Sequence, residues 1–197
     1  EILPQSAAET VLRWEKRCGA CVVGPGLGKS TSSGAIIEWF WNKWKKPLLV
    51  DGDGLSFLSG NNFSFEFREN AVLTPHSGEA AALLGITHEK VATDRIGTAL
   101  ALTRTAGTVL LKGMDTVICS KGREATIIKG GSPSLAIPGS GDVLSGSAGA
   151  LMASGMPIWD AVRVGAAAHA AAGTFLENRF GIRGSLAREI ADALPFT

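Results

Sequence analysis

Short apolar runs alternate along the chain with longer stretches whose apolar residues recur every three or four positions. The runs at 20–23, 47–50, 71–73 and 108–111 each stop at glycine or polar residues: Gly24, Asp51, Thr74-Pro75 and Lys112-Gly113. Several are apolar throughout, Leu48-Leu49-Val50 among them. Strands of a parallel sheet covered on both faces have this pattern. Runs at 117–119 and 125–128 flank the polar turn Ser120-Lys121-Gly122-Arg123 and read as a hairpin. Over 32–44, Ile37, Phe40, Trp41 and Trp44 fall at i, i+3, i+4 and i+7, which makes one apolar helical face. Helices are also read over 79–84, 94–105, 142–154, 158–179 and 186–194, with Pro157 separating two of them. Alanines 166–168 and 170–172 suit close packing against a neighbouring helix. Strands alternating with helices imply βα units and an α/β fold. The expected architecture is a mostly parallel sheet flanked by helices on both faces, in a single domain over 1–197.

Composition sharpens this picture in three ways. The chain has 197 residues, 45% hydrophobic and 19% charged, as in a globular enzyme. Its 19 basic and 18 acidic residues leave a net charge of +1, which gives no electrostatic footprint for nucleic acid or an acidic membrane. No run of 18 apolar residues suggests a membrane span, and three cysteines make no disulfide framework, so a reducing cytoplasm is expected. Glycine stands at 25 of 197 residues, well above the usual share of about 7%. The glycines cluster where strands end, which is where open parallel sheets bind ligands.

Each strand end is therefore a candidate for chemistry. Gly24-Pro25-Gly26-Leu27-Gly28-Lys29-Ser30 is one residue short of a P-loop and reads as a glycine turn whose backbone contacts a ligand. Asp51-Gly52-Asp53-Gly54 breaks the EF-hand pattern at Leu55. It reads either as a carboxylate pair orienting magnesium-bound water or a hydroxyl, or as a capped turn. Cys18-Gly19-Ala20-Cys21 runs into a strand rather than a helix, which argues against a redox pair, and no protein-held metal site is read from the sequence. In Thr74-Pro75-His76-Ser77-Gly78-Glu79, His76 sits on a loop where its imidazole can meet a polar ligand, and Glu79 falls in a first helical turn. His169 lies in the small-residue helix and reads as packed. Lys112 and Gly113 can meet a phosphate with ammonium and backbone N–H groups. The strongest signal is Pro138-Gly139-Ser140-Gly141-Asp142. Gly139, Ser140 and Gly141 at a helix N-terminus form an anion hole, and Asp142 beside it can take a proton from a hydroxyl.

Taken in order, GPGLG, PLLVDGDGL, LTPHSGE, LLKGMDT, GSGDVLSG and the Ala-rich helix resemble one family, the ADP- or ATP-dependent NAD(P)H-hydrate dehydratases of the ribokinase-like superfamily. The resemblance runs from about Val22 to Leu194. It implies phosphorylation of the hydroxyl of hydrated NADH or NADPH by ADP or ATP, then loss of phosphate to restore the dihydronicotinamide. It implies that Gly26 and His76 contact the hydrated dinucleotide. Lys112, Gly113, Met114, Asp115, Thr116 and Gly141 would hold the nucleotide, and Asp142 would be the catalytic base that also contacts substrate. Magnesium would arrive with the phosphates, and a homo-oligomer is implied. Asp51-Gly52-Asp53-Gly54-Leu55 stands where the family often has DADAL, Ser140 where it often has Thr, and Ser77 where it often has Pro; none of these removes a charged or hydroxyl group. The family's αβ section ahead of Val22 is not found here, and with no initiator Met the sequence is expected to be N-terminally incomplete. Two other readings stay open: a ribokinase-like kinase for another small molecule, and an inactive nucleotide-binding fragment.

Overall fold

The computed structural model describes residues 10–11, 13–59, 65–182 and 185–197. Among the described residues, six strands form one sheet in chain order: β1 (Cys21–Val23), β2 (Leu48–Val50), β3 (Arg68–Leu73), β4 (Ala106–Leu111), β5 (Thr116–Ser120) and β6 (Thr126–Ile128). The first four are parallel, and β5 and β6 return as antiparallel neighbours. The helices that accompany them from residue 31 onward are α1 (Thr31–Lys43), α2 (Asp53–Leu58), α3 (Ser77–Leu84), α4 (His88–Thr93), α5 (Arg95–Leu102), α6 (Ser140–Ala153), α7 (Ile158–Phe180) and α8 (Ala187–Ala193). The mostly parallel sheet and the hairpin are as the apolar pattern predicts. Among the described residues, no helix is long and apolar enough to cross a membrane.

Successive residues of a strand face opposite sides of its sheet, so each apolar strand serves two cores at once. Leu48 and Val50, Ala71 and Leu73, Val109 and Leu111, and Val117 and Cys119 enter one core. There they meet Ile37, Trp41 and Trp44 of α1, Ala80 of α3, and Ala99 and Leu102 of α5. Leu49, Val72, Leu110 and Ile118 enter the other, against Leu144, Ala148 and Met152 of α6 and Ala161, Val162 and Ala166 of α7. The alanines of α7 keep its axis close to α6, as expected from their size. Leu48, Leu49, Leu73, Leu110, Leu111 and Ile118 are all fully buried, each contributing about 1.5–3 kcal/mol of transfer free energy. Ala172 and Leu176 of α7 pack with Ile190 and Ala193 of α8 in a third, smaller cluster.

Four elements differ from the sequence expectation. β3 begins three residues early, at Arg68, because that arginine is a structural cap rather than a surface residue. Its Nη1 donates to the carbonyls of Phe40 (2.8 Å) and Trp41 (2.6 Å), and its Nη2 to those of Trp44 (2.6 Å) and Lys46 (2.9 Å). Phe40 and Trp41 lie in the last turn of α1, where the Phe40 carbonyl also accepts the Trp44 N–H at 3.2 Å, and Trp44 and Lys46 follow it, so Arg68 ties the helix end to the chain leading into β2. Helix α2 starts directly at Asp53, where the glycines of the turn conceal it, and α4 is a single short turn begun by the Thr87 cap. The helix expected over 94–105 stops at Leu102, and the next three residues turn into β4 through Thr103 N–H to the Leu100 carbonyl and Thr105 N–H to the Leu102 carbonyl.

Gly24 closes β1 with φ +116°, and a Cβ there would fall 2.0 Å from the Asp51 carbonyl oxygen. Both the dihedral and the backbone contact forbid a side chain. Gly24→Ala is expected to destabilise the protein by roughly 2–5 kcal/mol in urea denaturation. Gly122→Ala, at a hairpin tip with φ +75° and nothing within 4 Å, should cost only about 1–2 kcal/mol.

Candidate active site

The C-terminal ends of β1 to β4 point toward the N-termini of α3 and α6, and the polar residues of the chain gather there. At the centre is Asp51, just past β2 and 1% exposed. Its Oδ1 accepts from Lys112 Nζ at 2.6 Å, and its Oδ2 accepts from Ser145 Oγ at 2.6 Å. Thr74 Oγ1 lies 3.4 Å from Ser145 Oγ and 3.4 Å from the Val50 carbonyl. The buried carboxylate thus joins β2, the end of β3, the end of β4 and α6. The two carboxylates of the Asp51/Asp53 reading have separate partners: Asp51 is enclosed in an ion pair, while Asp53 leads α2 and accepts from the Gly28 N–H at 2.9 Å. That second bond fixes the glycine turn after β1 onto α2.

Helix α6 opens at Gly139, with φ +84° and no side-chain cap. The Ser140 N–H donates to the Ile137 carbonyl and the Val143 N–H to the Gly139 carbonyl. Among the described residues, the N–H groups of Gly141 and Asp142 have no internal partner, so they are the open donors at this helix dipole end. A Cβ on Gly141 would fall 3.3 Å from Lys112 Nζ, which places the ammonium directly beneath the turn. His169 reaches the turn from α7, its Nε2 lying 3.0 Å from the Ser140 carbonyl and 3.1 Å from Ser140 Oγ. Since a carbonyl only accepts, the ring proton sits on Nε2. Burial pushes the His169 pKa down, the bond to Ser140 opposes this, and nearby Lys112 lowers it further. His169 is packed, as the sequence indicates, but what it packs against is the anion-hole turn.

Helix α3 begins with a reciprocal cap. His76 Nδ1 accepts from the N–H groups of Gly78 (3.0 Å) and Glu79 (3.2 Å), and Glu79 Oε2 accepts from the His76 N–H at 2.7 Å. With Nδ1 an acceptor, the neutral ring carries its proton on Nε2, which lies 3.5 Å from Glu79 Oε1. Glu79 Oε2 also stands 3.9 Å from Lys112 Nζ. His76 and Glu79 line a cleft of about 430 Å³ together with Pro25, Gly26, Lys29, Asp53, Leu55 and Asp142. The structure therefore brings three predicted site residues, Gly26, His76 and Asp142, to one cavity. Lys112 to Asp115 form the β4–β5 connection and Thr116 opens β5; none of them lines that cleft. Met114 in that connection is 82% exposed, and among the described residues the N–H groups of Gly113, Met114 and Asp115 have no internal partner.

The Cys18-x-x-Cys21 pair takes no part. Cys21 is pushed up to about 11, first by burial, then by Cys18, with Arg68 opposing; its thiolate is disfavoured at neutral pH. Sequence reasoning missed Ser145, Thr74, the buried role of Asp51 and the contact of His169 with Ser140. Asp51 and Lys112 each follow an apolar strand directly, and two opposite charges at one end of one sheet were the available signal.

A family model described as NAD(P)H-hydrate dehydratase matches residues 2–196. The chain is 40% identical over 174 residues to the bifunctional NAD(P)H-hydrate repair enzyme of Escherichia coli, covering 88% of this chain and 33% of that protein. It is 38% identical over 180 residues to the ADP-dependent (S)-NAD(P)H-hydrate dehydratase of Neisseria meningitidis, covering 88% of this chain and 61% of that one. Among solved structures, a ribokinase-like superfamily protein from Enterococcus faecalis superposes with a TM-score of 0.83 at 26% identity, over 95% of this chain and 66% of its own. The chain spans about a third of the length of the bifunctional relatives it matches.

Two outcomes test this geometry. Asp51→Asn should destabilise the protein by on the order of 3 kcal/mol in urea melts, since it strips the buried pair of its anion. The second concerns pH. A histidine whose folded pKa lies below its unfolded value of about 6.5 binds fewer protons folded than unfolded. Its contribution is complete above that value and is lost as pH falls from there toward the folded pKa. Stability should therefore decline below about pH 6.5, and His169→Gln should flatten that decline.

Proposed function

The chain belongs to the NAD(P)H-hydrate dehydratase family, and from that premise we propose that it restores hydrated NADH or NADPH to the reduced dinucleotide at the expense of ADP or ATP. One observation carries the reading. Asp142 lines the cleft shared with Gly26 and His76, its own N–H is one of the open donors of α6, and its neighbour Gly141 lies against the Asp51-anchored Lys112. A base placed between an acceptor pocket and a phosphate cradle is suited to move a phosphoryl group onto a hydroxyl.

In the proposed reaction the hydrated ring occupies the cleft. The His76 Nε2–H and the Gly26 backbone hold it, and its hydroxyl lies at Asp142. The nucleotide lies on the other side, with its phosphates on Lys112 and the N–H groups of Gly113, Met114 and Gly141, near Asp115 and Thr116. Asp142 takes the hydroxyl proton as the hydroxyl oxygen bonds to the terminal phosphorus and the bond to the leaving phosphate breaks, giving AMP from ADP or ADP from ATP. The new phosphate ester then departs as inorganic phosphate when its C–O bond breaks, and loss of a ring proton restores the double bond. The N–H groups and Lys112 are fixed before the charge develops, so they stabilise it without reorganising. Magnesium in this reading is carried by the phosphates, with Asp53, Glu79 and Asp142 facing the same cleft; Mg²⁺ commonly uses few protein carboxylates and several phosphate oxygens.

The test is to supply hydrated NADH or NADPH, magnesium and either ADP or ATP, and follow the return of reduced-nicotinamide absorbance. Recovery that requires nucleotide is expected, and the productive nucleotide identifies the phosphoryl donor. Asp142→Asn should cut turnover by about 10²–10⁴-fold while nucleotide binding persists. Nucleotide binding without recovery would overturn the dehydratase reading in favour of a kinase acting on another hydroxyl or of an inactive nucleotide-binding chain.

A further inference from the structure

Arg95 is the first residue of α5, where the positive end of the helix dipole disfavours a cation, and its side chain is only partly exposed. Its guanidinium is turned toward the β4–β5 connection. Nη2 donates to the carbonyls of Leu111 (3.1 Å), Lys112 (3.2 Å) and Asp115 (3.1 Å), and Nη1 donates to Ser77 Oγ (3.2 Å) in the first turn of α3. The same two segments are joined a second time by the Lys112 N–H donating to the Pro75 carbonyl at 2.8 Å.

The consequence follows from peptide geometry. In a trans peptide the C=O of one residue and the N–H of the next point in opposite directions. Because the Lys112 carbonyl is drawn to Arg95, the Gly113 N–H faces away from it. Because the Gly113 carbonyl accepts from Thr116 Oγ1 at 3.3 Å, the Met114 N–H points away from that hydroxyl. Both carbonyls are thus taken up within the protein, while among the described residues the N–H group that follows each has no internal partner. Gly113 makes the arrangement possible, since a Cβ there would fall 2.6 Å from Arg95 Nη2.

Resting on the reading in which residues 112–116 hold the nucleotide, we infer that Arg95 is a positioning residue that shapes this loop into a phosphate cradle and ties it to the substrate-side helix through Ser77. Lysine cannot replace it, because one ammonium cannot span four acceptors as a planar fork does.

The test measures ADP and ATP affinity by titration calorimetry, below the unfolding temperature of each variant, together with the KM and kcat of repair. Arg95→Ala and Arg95→Lys should each weaken nucleotide affinity by roughly ten- to a hundredfold, with a smaller change in KM for the hydrated dinucleotide. Gly113→Ala leaves Arg95 in the chain but pushes its guanidinium away, and should weaken affinity similarly. The Arg95→Ala/Gly113→Ala double variant should be no worse than either single variant, because both remove the same contact. Lowered Tm with wild-type nucleotide affinity, or losses that simply add, would overturn the inference, as would a wild-type protein that binds neither nucleotide. Wild-type nucleotide binding without repair would instead overturn the dehydratase reading and leave the role of Arg95 to be decided by the same affinities.

Discussion

The site depends on one buried ion pair. A carboxylate as enclosed as Asp51 would be strongly unfavourable if left alone. It is tolerated because both oxygens are satisfied, by the Lys112 ammonium and the Ser145 hydroxyl, each at 2.6 Å. These partners come from β4's end and from α6, with Thr74 at the end of β3 close to Ser145. A slip of β2 or β4 by one residue would turn one of the charges toward an apolar core, so the pair fixes strand register as well as position. The same contact sets Lys112 beneath Gly141, and hence beneath the N-terminus of α6. Structural specificity and the placement of the site's central cation are one interaction.

Around that anchor the site is organised by backbone donors more than by side-chain charge. Two helix N-termini, α3 and α6, and the β4–β5 loop all direct N–H groups to one end of the sheet. Each is held by a second layer: the His76–Glu79 reciprocal cap at α3, the His169 contact with Ser140 at α6, and the Arg95 fork behind the loop. The carboxylates of Glu79 and Asp142 lie in first helical turns, at the positive end of the helix dipole. His169 is kept neutral by burial beside Lys112, which avoids a second cation under the turn.

Much of this was legible in the sequence because it is written in local patterns. Uninterrupted apolar strands announced a two-faced parallel sheet, and glycine with a following acidic residue announced the α6 turn. What escaped was encoded by pairs distant along the chain. Asp51 looked like half of an aspartate pair because Asp53 is its sequence neighbour, whereas its true partners lie 61 and 94 residues away. Arg68 and Arg95 carry no local signal, since nothing near them in the chain shows that a guanidinium will be spent on the carbonyls of another segment. Helix α2 was hidden because Gly52 and Gly54 lower helix propensity; its packing against α1 and α3, with Leu55 buried, overrides that preference.

On the proposed reading the two halves of the site carry different parts of the chemistry. Lys112, Gly141 and Asp142 would form a cradle and base able to serve phosphoryl transfer to almost any hydroxyl, since such transfer asks for positioning and charge stabilisation rather than special reactivity. The identity of the acceptor must then be decided by the other half, around Gly26 and His76. That cleft, at about 430 Å³, lies toward the small end of the ~300–1,000 Å³ usual for ligand sites. On the proposed reading it would enclose the hydrated ring and leave the rest of the dinucleotide along the open surface. Selectivity would then rest on the fit of the damaged ring itself. The His76 Nε2–H is well placed for that task, because its orientation is fixed by the cap that Nδ1 makes with α3. The backbone that begins the helix and the group that meets the ligand are two sides of one imidazole.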